Sequence, residues 1–193
     1  MKFIPQKIPE IVLIEPHVHG DSRGYFIESF RRDKFIEAIG YNVDFIQDNE
    51  SKSSRGVLRG LHYQLPPYAQ SKLVRVIQGS VLDVAVDIRR GSPTFGQHVA
   101  LELDDVSKRQ LFIPRGFAHG FVVLSESAVF SYKVDNVYAP AHDRGLAWDD
   151  PELGIDWKID KQLIQLSAKD CQQPRLNETR DIFDHGVNLY AQR

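Results

Sequence analysis

The stretch Ser71-Lys72-Leu73-Val74-Arg75-Val76-Ile77-Gln78-Gly79-Ser80-Val81-Leu82-Asp83-Val84-Ala85-Val86-Asp87-Ile88 carries the clearest structural signal in the chain. Apolar positions recur with period two on both sides of Gly79-Ser80, the mark of β-strands, whose successive side chains point to opposite faces. The pattern predicts a hairpin, with strands over residues 71–78 and 81–88 and a turn at Gly79-Ser80. In the second strand Leu82, Val84, Val86 and Ile88 share one face; Val81, Asp83, Ala85 and Asp87 share the other. Two carboxylates among small apolar residues imply an interior in which charge is paired or hydrated.

Outward from this pair the strand signal continues. Downstream, residues 97–103 and 110–113 read as strands, and residues 120–124 and 128–136 as a further pair. Upstream, residues 45–51 look extended, residues 24–31 read as a strand, residues 16–24 as a polar loop and residues 11–14 as a short strand. Phe35, Ile36 and Ile39 have helical spacing, with Gly40 as the stop. After Pro140 the periodicity fades; residues 144–158 carry both tryptophans, and the polar tail holds only fragments of short helix. Many short strands with turn signals and one modest helix imply a mainly β fold, an antiparallel jelly-roll sandwich or barrel. The expectation is one domain over residues 1–193, with a jelly-roll core at about 24–136 and a C-terminal extension.

Composition narrows the function. The formal net charge is −2, which argues against nucleic acid as a partner. Any anionic ligand must be met by a local basic pocket. Cys171 is the single cysteine, so no intrachain disulfide can form and no CxxC metal pattern exists. No apolar run is long enough to cross a bilayer, and the first residues have no signal-peptide core. The expectation is a cytoplasmic protein with no membrane partner.

The chemistry concentrates in Arg59-Gly60-Leu61-His62-Tyr63-Gln64. Strict alternation puts Arg59 and His62 on opposite faces, but a bulge at Gly60 brings both to one side. There they suit proton transfer on an anionic substrate; otherwise they are a core histidine and a surface arginine. Pro114-x-Gly116-x-x-His119 resembles the second signature of the cupin superfamily, whose metal-binding members hold a metal with a His-x-His pair, a Glu and this histidine. Here Gln64 stands where the second histidine of that pair belongs, so His62 and His119 leave the ligand set short, and no metal is expected. Lys72 and Asp83, on neighbouring strands of the expected hairpin, form either a cross-strand salt bridge or an ammonium held for an oxyanion. Tyr132 lies in a strand, where packing is the ordinary role of tyrosine. His17, His19, Cys171, Asp87, Asp104 and Asp105 read as solvated or structural.

Several ordered motifs together resemble one family. They are Asp21-x-Arg23-Gly24-x-Phe26-x-Glu28, Gln47-Asp48-Asn49-x-Ser51, the stretch from Arg59 to Gln64, Lys72-Leu73-Val74, Pro114-x-Gly116-Phe117-x-His119-Gly120-Phe121, Tyr132, Trp148-x-Asp150-Pro151 and Leu166-Ser167-Ala168-Lys169-Asp170. The chain is similar to the dTDP-4-dehydrorhamnose 3,5-epimerases over about residues 10–180. The resemblance implies a cupin-type jelly roll, a homodimer, no metal or organic cofactor, and a dTDP-4-keto-6-deoxy sugar as substrate. It implies inversion at C3 and C5, each next to the 4-keto group. His62 would be the base, Asp170 its partner, Tyr132 the opposite-face acid, and Lys72, steadied by Asp83, the cation at the keto oxygen. Arg59 and Arg23 would hold the diphosphate. Gln47, Asn49, Glu28, His119 and Lys169 would contact nucleotide and sugar, and Phe26 and Tyr138 would stack on thymine. Asp143 stands where the family commonly has Glu, so a contact there would be longer or bridged by water. A single-centre epimerase and a non-catalytic nucleotide-sugar binder are the competing readings; retention of both His62 and Tyr132 argues against the second.

Overall fold

The computed structural model describes residues 1–191. Its strands run β1 Lys2–Pro5, β2 Val12–Glu15, β3 Val18–Asp21, β4 Gly24–Ile27, β5 Gln47–Ser54, β6 Leu58–Gln64, β7 Lys72–Gln78 and β8 Ser80–Asp87. They continue with β9 Arg89–Arg90, β10 His98–Asp104, β11 Gln110–Ile113, β12 Phe117–Val123, β13 Ser127–Val134, β14 Asp143–Gly145 and β15 Phe183–Asp184. One α-helix, α1 Arg32–Ile39, lies between β4 and β5. A sheet in the order β1-β2-β11-β7-β13-β5 faces a sheet in the order β10-β8-β12-β6-β14. This is the expected mainly β, cupin-like jelly roll.

Three apolar clusters explain the layers. Val74 and Val76 of β7, Leu111 and Ile113 of β11 and Phe130 of β13 meet Val81, Ala85, Val99, Phe117 and Phe121 of the other sheet to form the core between the sheets. The opposite face of β8, with Leu82, Val84 and Val86, and Ile88 just beyond it, is covered by Leu146, Leu153, Trp157, Leu176 and Phe183 of the C-terminal extension. The outer face of the larger sheet packs Val12, Leu73 and Phe112 against Phe35 of α1. Each face of β8 therefore has its own apolar partner, as the alternation in its sequence requires. Helix α1 contains the helically spaced Phe35, Ile36 and Ile39 and stops at Gly40 as expected, where a φ of 82° favours glycine.

The expected hairpin over residues 71–88 does not form. Strands β7 and β8 belong to different sheets and are joined by Gly79 alone. A single residue cannot supply the two-residue turn of a tight hairpin. Instead Gly79 N–H donates to Asp105 Oδ2 at 2.9 Å, and Asp105 N–H donates to Gly79 O at 3.1 Å, which pins a corner between the sheets. Strands β12 and β13 likewise lie in different sheets. The polar loop expected at residues 16–24 is in fact β3, paired with β4 in an exposed two-stranded hairpin. The strand expected over residues 24–31 stops at Ile27.

A bulge sets the direction of the functional strand. His119 of β12 is opposite His62, and Phe121 is opposite Arg59, so three steps along β6 match two along β12. The extra residue turns Arg59 and His62 to the same side, as the sequence allowed. Gly60 is required there: its φ is 138°, and an added Cβ would stand 2.5 Å from the Gly120 Cα. At Gly40, φ is 82° but nothing lies within 4 Å of an added Cβ. Gly60→Ala is therefore expected to cost about 3 kcal/mol or more, combining backbone strain and overpacking. Gly40→Ala carries the strain alone and should cost about 1 kcal/mol. Urea denaturation compares them; equal losses would show that the contact with Gly120 contributes nothing.

Candidate active site

A cavity of about 470 Å³ opens between the two sheets, lined by Arg59, His62, Lys72, His119, Tyr132, Lys169 and Asp170 among others. A second concavity, about 320 Å³, shares His62, Lys72 and Tyr132 with it and adds Gln47, Asn49, Gln64, Tyr138 and Asp143. His62 and His119 come from the smaller sheet; Lys72 and Tyr132 come from the larger one. The groups thus approach the same space from opposite walls.

His62 is held from the C-terminal extension. Its Nε2 lies 2.5 Å from Oδ1 of Asp170, whose side chain is 4% exposed. With Nε2–H given to the carboxylate, Nδ1 carries the ring's remaining lone pair. Burial opposes the charge on Asp170, but its bonds to His62 and Ser167 and the neighbouring Lys169 charge outweigh burial and bring its pKa below the ordinary value. The carboxylate therefore stays ionised. The Tyr132 phenol is pushed upward by burial, against the pull of Arg59, so it is protonated at neutral pH. Burial brings the Lys72 ammonium down to about 8, opposed by the charges of Asp143 and Asp83. Its Nζ lies 3.5 Å from the His62 carbonyl oxygen.

Asp83 does not form the cross-strand salt bridge with Lys72 that the hairpin implied, because β7 and β8 are not neighbours. Its Oδ2 instead meets His119 Nε2 at 2.9 Å. Its Oδ1 is buried with no hydrogen-bond partner among the described residues. Burial lowers the pKa of His119, against the hydrogen bond and charge of Asp83. Asp87, the other carboxylate on that face, is fully paired by Arg89, Ser92 and Thr94.

The cavity mouth is polar. Arg59 donates through Nε and Nη2 to Ser53 Oγ at 3.2 and 3.1 Å. Gln47 Nε2 donates to Asn49 Oδ1 at 2.8 Å. Asp143 Oδ2 accepts from Tyr138 at 2.9 Å and pairs with Lys169. Gln64, at the metal-ligand position of the cupin signature, is spent on structure. Its amide donates to the carbonyls of Tyr68 and Val137, and its oxygen accepts from Ala139 N–H. All three bonds are to backbone groups, so this amide is committed to holding the chain around it.

Three candidates lie apart. Arg23, Phe26 and Glu28 are exposed and do not line the cavity that holds His62. Arg23 and Phe26 sit on the β3–β4 hairpin beside a separate shallow concavity, with Arg23 paired to Asp21. Two polar neighbours fall outside the sequence candidates: Ser53, which holds Arg59, and Ser167, which holds Asp170. Ser53 has no motif. Ser167 has one, the Ser-x-x-Asp spacing of a chain turn closed by its own side chains.

Comparison with known proteins gives the family. The family model described as dTDP-4-dehydrorhamnose 3,5-epimerase matches residues 5–178. A Shigella flexneri dTDP-4-dehydrorhamnose 3,5-epimerase is 55% identical over 170 residues, 88% of this chain and 93% of that protein. The dTDP-6-deoxy-D-glucose-3,5-epimerase of Legionella pneumophila Philadelphia 1, solved with dTDP-4-keto-L-rhamnose, superposes with a TM-score of 0.92 at 47% identity, covering 96% of this chain and 99% of that one. A Streptomyces niveus dTDP-4-dehydrorhamnose 3-epimerase is 40% identical, covering 94% of this chain and 86% of that protein. A site with a histidine–carboxylate pair on one wall and a protonated tyrosine on the other, in a chain so matched, settles the lineage: this chain belongs to the dTDP-4-dehydrorhamnose 3,5-epimerase family.

Proposed function

We propose that this chain is a dTDP-4-dehydrorhamnose 3,5-epimerase, converting dTDP-4-dehydro-6-deoxy-D-glucose to dTDP-4-dehydro-L-rhamnose by proton transfer at C3 and C5. The observation that carries the reading is the pairing of His62 and Tyr132 from facing sheets, with Lys72 beside them, in one cavity. A carbon next to a ketone loses its proton to give an enolate. That step needs a base at the C–H and positive charge at the oxygen. His62 Nδ1 is the base, and Asp170 stabilises the imidazolium that forms. Lys72 meets the keto oxygen and bears the enolate charge. Tyr132 returns a proton to the other face, which inverts the centre. Both centres flank the same carbonyl, so one set of groups serves both after the sugar ring turns.

Binding falls to the surrounding residues. Arg59 grips the diphosphate through a guanidinium matched to its oxygens. Gln47, Asn49, His119, Asp143 and Lys169 contact sugar and nucleotide, and Tyr138 stacks on the base. Asp83 acts through its charge on Lys72 and its bond to His119. The ligand set without a second histidine at Gln64 favours metal-free chemistry. No helix among the described residues is long and apolar enough to cross a membrane, and a nucleotide-sugar substrate favours the cytoplasm.

Incubation with dTDP-4-dehydro-6-deoxy-D-glucose in deuterated water tests the reaction. Deuterium at both C3 and C5 of an inverted product is expected. Label at C3 alone would make the chain a single-centre epimerase, and no label would make it a binder.

Arg23, Phe26 and Glu28 reach substrate in a homodimer, where the β3–β4 hairpin of one protomer covers the cavity of its partner. Phe26 is 67% exposed and the Arg23 side chain 87%, on a hairpin outside both main sheets. Arg23→Ala and His62→Ala are each expected to be impaired. Unfolded together and refolded, they should form mixed dimers with one intact site and recover about a quarter of wild-type activity. Activity no greater than the two variants refolded separately would mean that the hairpin does not serve a partner.

A further inference from the structure

We infer that Ser167 is a positioning residue for the His62–Asp170 pair: its hydroxyl clamps Asp170 by both main chain and carboxylate. The inference rests on the reading of His62 as the base. Asp170 lies outside the sheets, at the start of a three-residue helical turn, Asp170–Gln172. No strand ladder fixes the direction of its side chain. One hydroxyl does. Ser167 Oγ–H donates to Asp170 Oδ2 at 2.9 Å, and Asp170 N–H donates to Ser167 Oγ at 3.1 Å. A hydroxyl has one donor and two lone pairs, so the two bonds are compatible. With Oδ2 occupied, Oδ1 is left for the His62 ring at 2.5 Å.

The clamp is tied back to the strand it serves. Gln165, two residues upstream, donates its N–H to Gly56 O at 2.9 Å and accepts from Leu58 N–H at 3.0 Å. Leu58 begins β6, which carries His62. The path from Leu58 through Gln165, Ser167 and Asp170 returns to His62 and closes a loop around the base. Cys171 N–H also donates to Ser167 O at 3.1 Å, which holds the turn itself. Without the hydroxyl, Asp170 Oδ2 is free to turn toward solvent or the neighbouring Lys169, and the ring loses its fixed partner. Ser167 also lines the cavity, but its side-chain hydrogen bonds are with Asp170; as a positioning residue it acts through Asp170.

The test uses Ser167→Ala, Ser167→Thr, Asp170→Asn and the double variant Ser167→Ala/Asp170→Asn, with kcat, KM, melting temperature and deuterium exchange measured for each. Ser167→Ala should lower kcat about 10-fold with KM within about twofold, as for the loss of one charge-assisted hydrogen bond. Exchange and inversion should fall together, because proton removal is the impaired step. Threonine keeps the hydroxyl and should restore most of the rate. In the Asp170→Asn background, Ser167→Ala should add less than about a twofold loss. An unchanged kcat in Ser167→Ala would overturn the inference. So would a loss carried undiminished into the Asp170→Asn background, or a lower melting temperature and rate that threonine does not repair. The base assignment fails separately, if folded His62→Ala exchanges the sugar protons at the wild-type rate.

Discussion

The close approach of Gly60 to the Gly120 backbone governs the active site. It lets β6 carry one residue more than β12 over the same length. Leu58, Leu61 and Tyr63 pack into the outer cluster under the extension, while Arg59 and His62 line the cavity. Without the extra residue the alternation of a strand would separate the guanidinium from the imidazole. Side chains larger than hydrogen at this crossing would push the two strands apart, so the chemistry rests on a packing constraint in the backbone.

Around that point the protein treats buried charge in two ways. Away from the cavity it is paired. Asp87 is held by Arg89, Ser92 and Thr94, and Arg115 meets Asp135 at 3.0 Å and the Leu189 carbonyl at 2.8 Å. The Arg115 network ties the C-terminal tail to the strand ends. At the cavity wall two groups are left partly unpaired. Asp83 Oδ1 is buried without a partner, and Lys72 has lost enough hydration for its pKa to fall to about 8. Such unmet capacity costs stability and is ordinarily removed by packing. The unpartnered Asp83 Oδ1 next to His119, and the desolvated Lys72, suit a site built for a charged intermediate.

Much of this was legible in the sequence, and the failures have physical causes. Period-two alternation assigned the faces of β8 correctly and put Asp83 and Asp87 inside. It did not identify the neighbours of β7 and β8, because alternation reports a face and not a partner. The sequence shows Gly79-Ser80 as a two-residue turn, and only the structure takes Ser80 into β8 and leaves Gly79 alone between the strands. The bulge at Gly60 was readable from a glycine between two polar residues that the chemistry needs on one side. The position of Arg23, Phe26 and Glu28 away from the His62 cavity was not readable: a motif fixes residue types but not where the fold places them. Ser167 was hidden because serine near a turn is common, and only its two bonds to Asp170 distinguish it.

In the proposed mechanism inversion divides between two walls, with His62 removing the proton and Tyr132 delivering one from the other side. Tyr132→Phe separates the two acts. It keeps the ring against Phe130, 6.1 Å away between centroids, and deletes only the hydroxyl. The enolate should still form beside Lys72, and protonated His62 can return a proton to the face it came from. Following label and stereochemistry together by NMR in deuterated water, the variant should exchange deuterium at C3 or C5 faster than it inverts those centres. Wild-type protein should couple the two. A variant in which exchange and inversion fall by the same large factor would contradict the two-wall account and put Tyr132 in enolate formation instead.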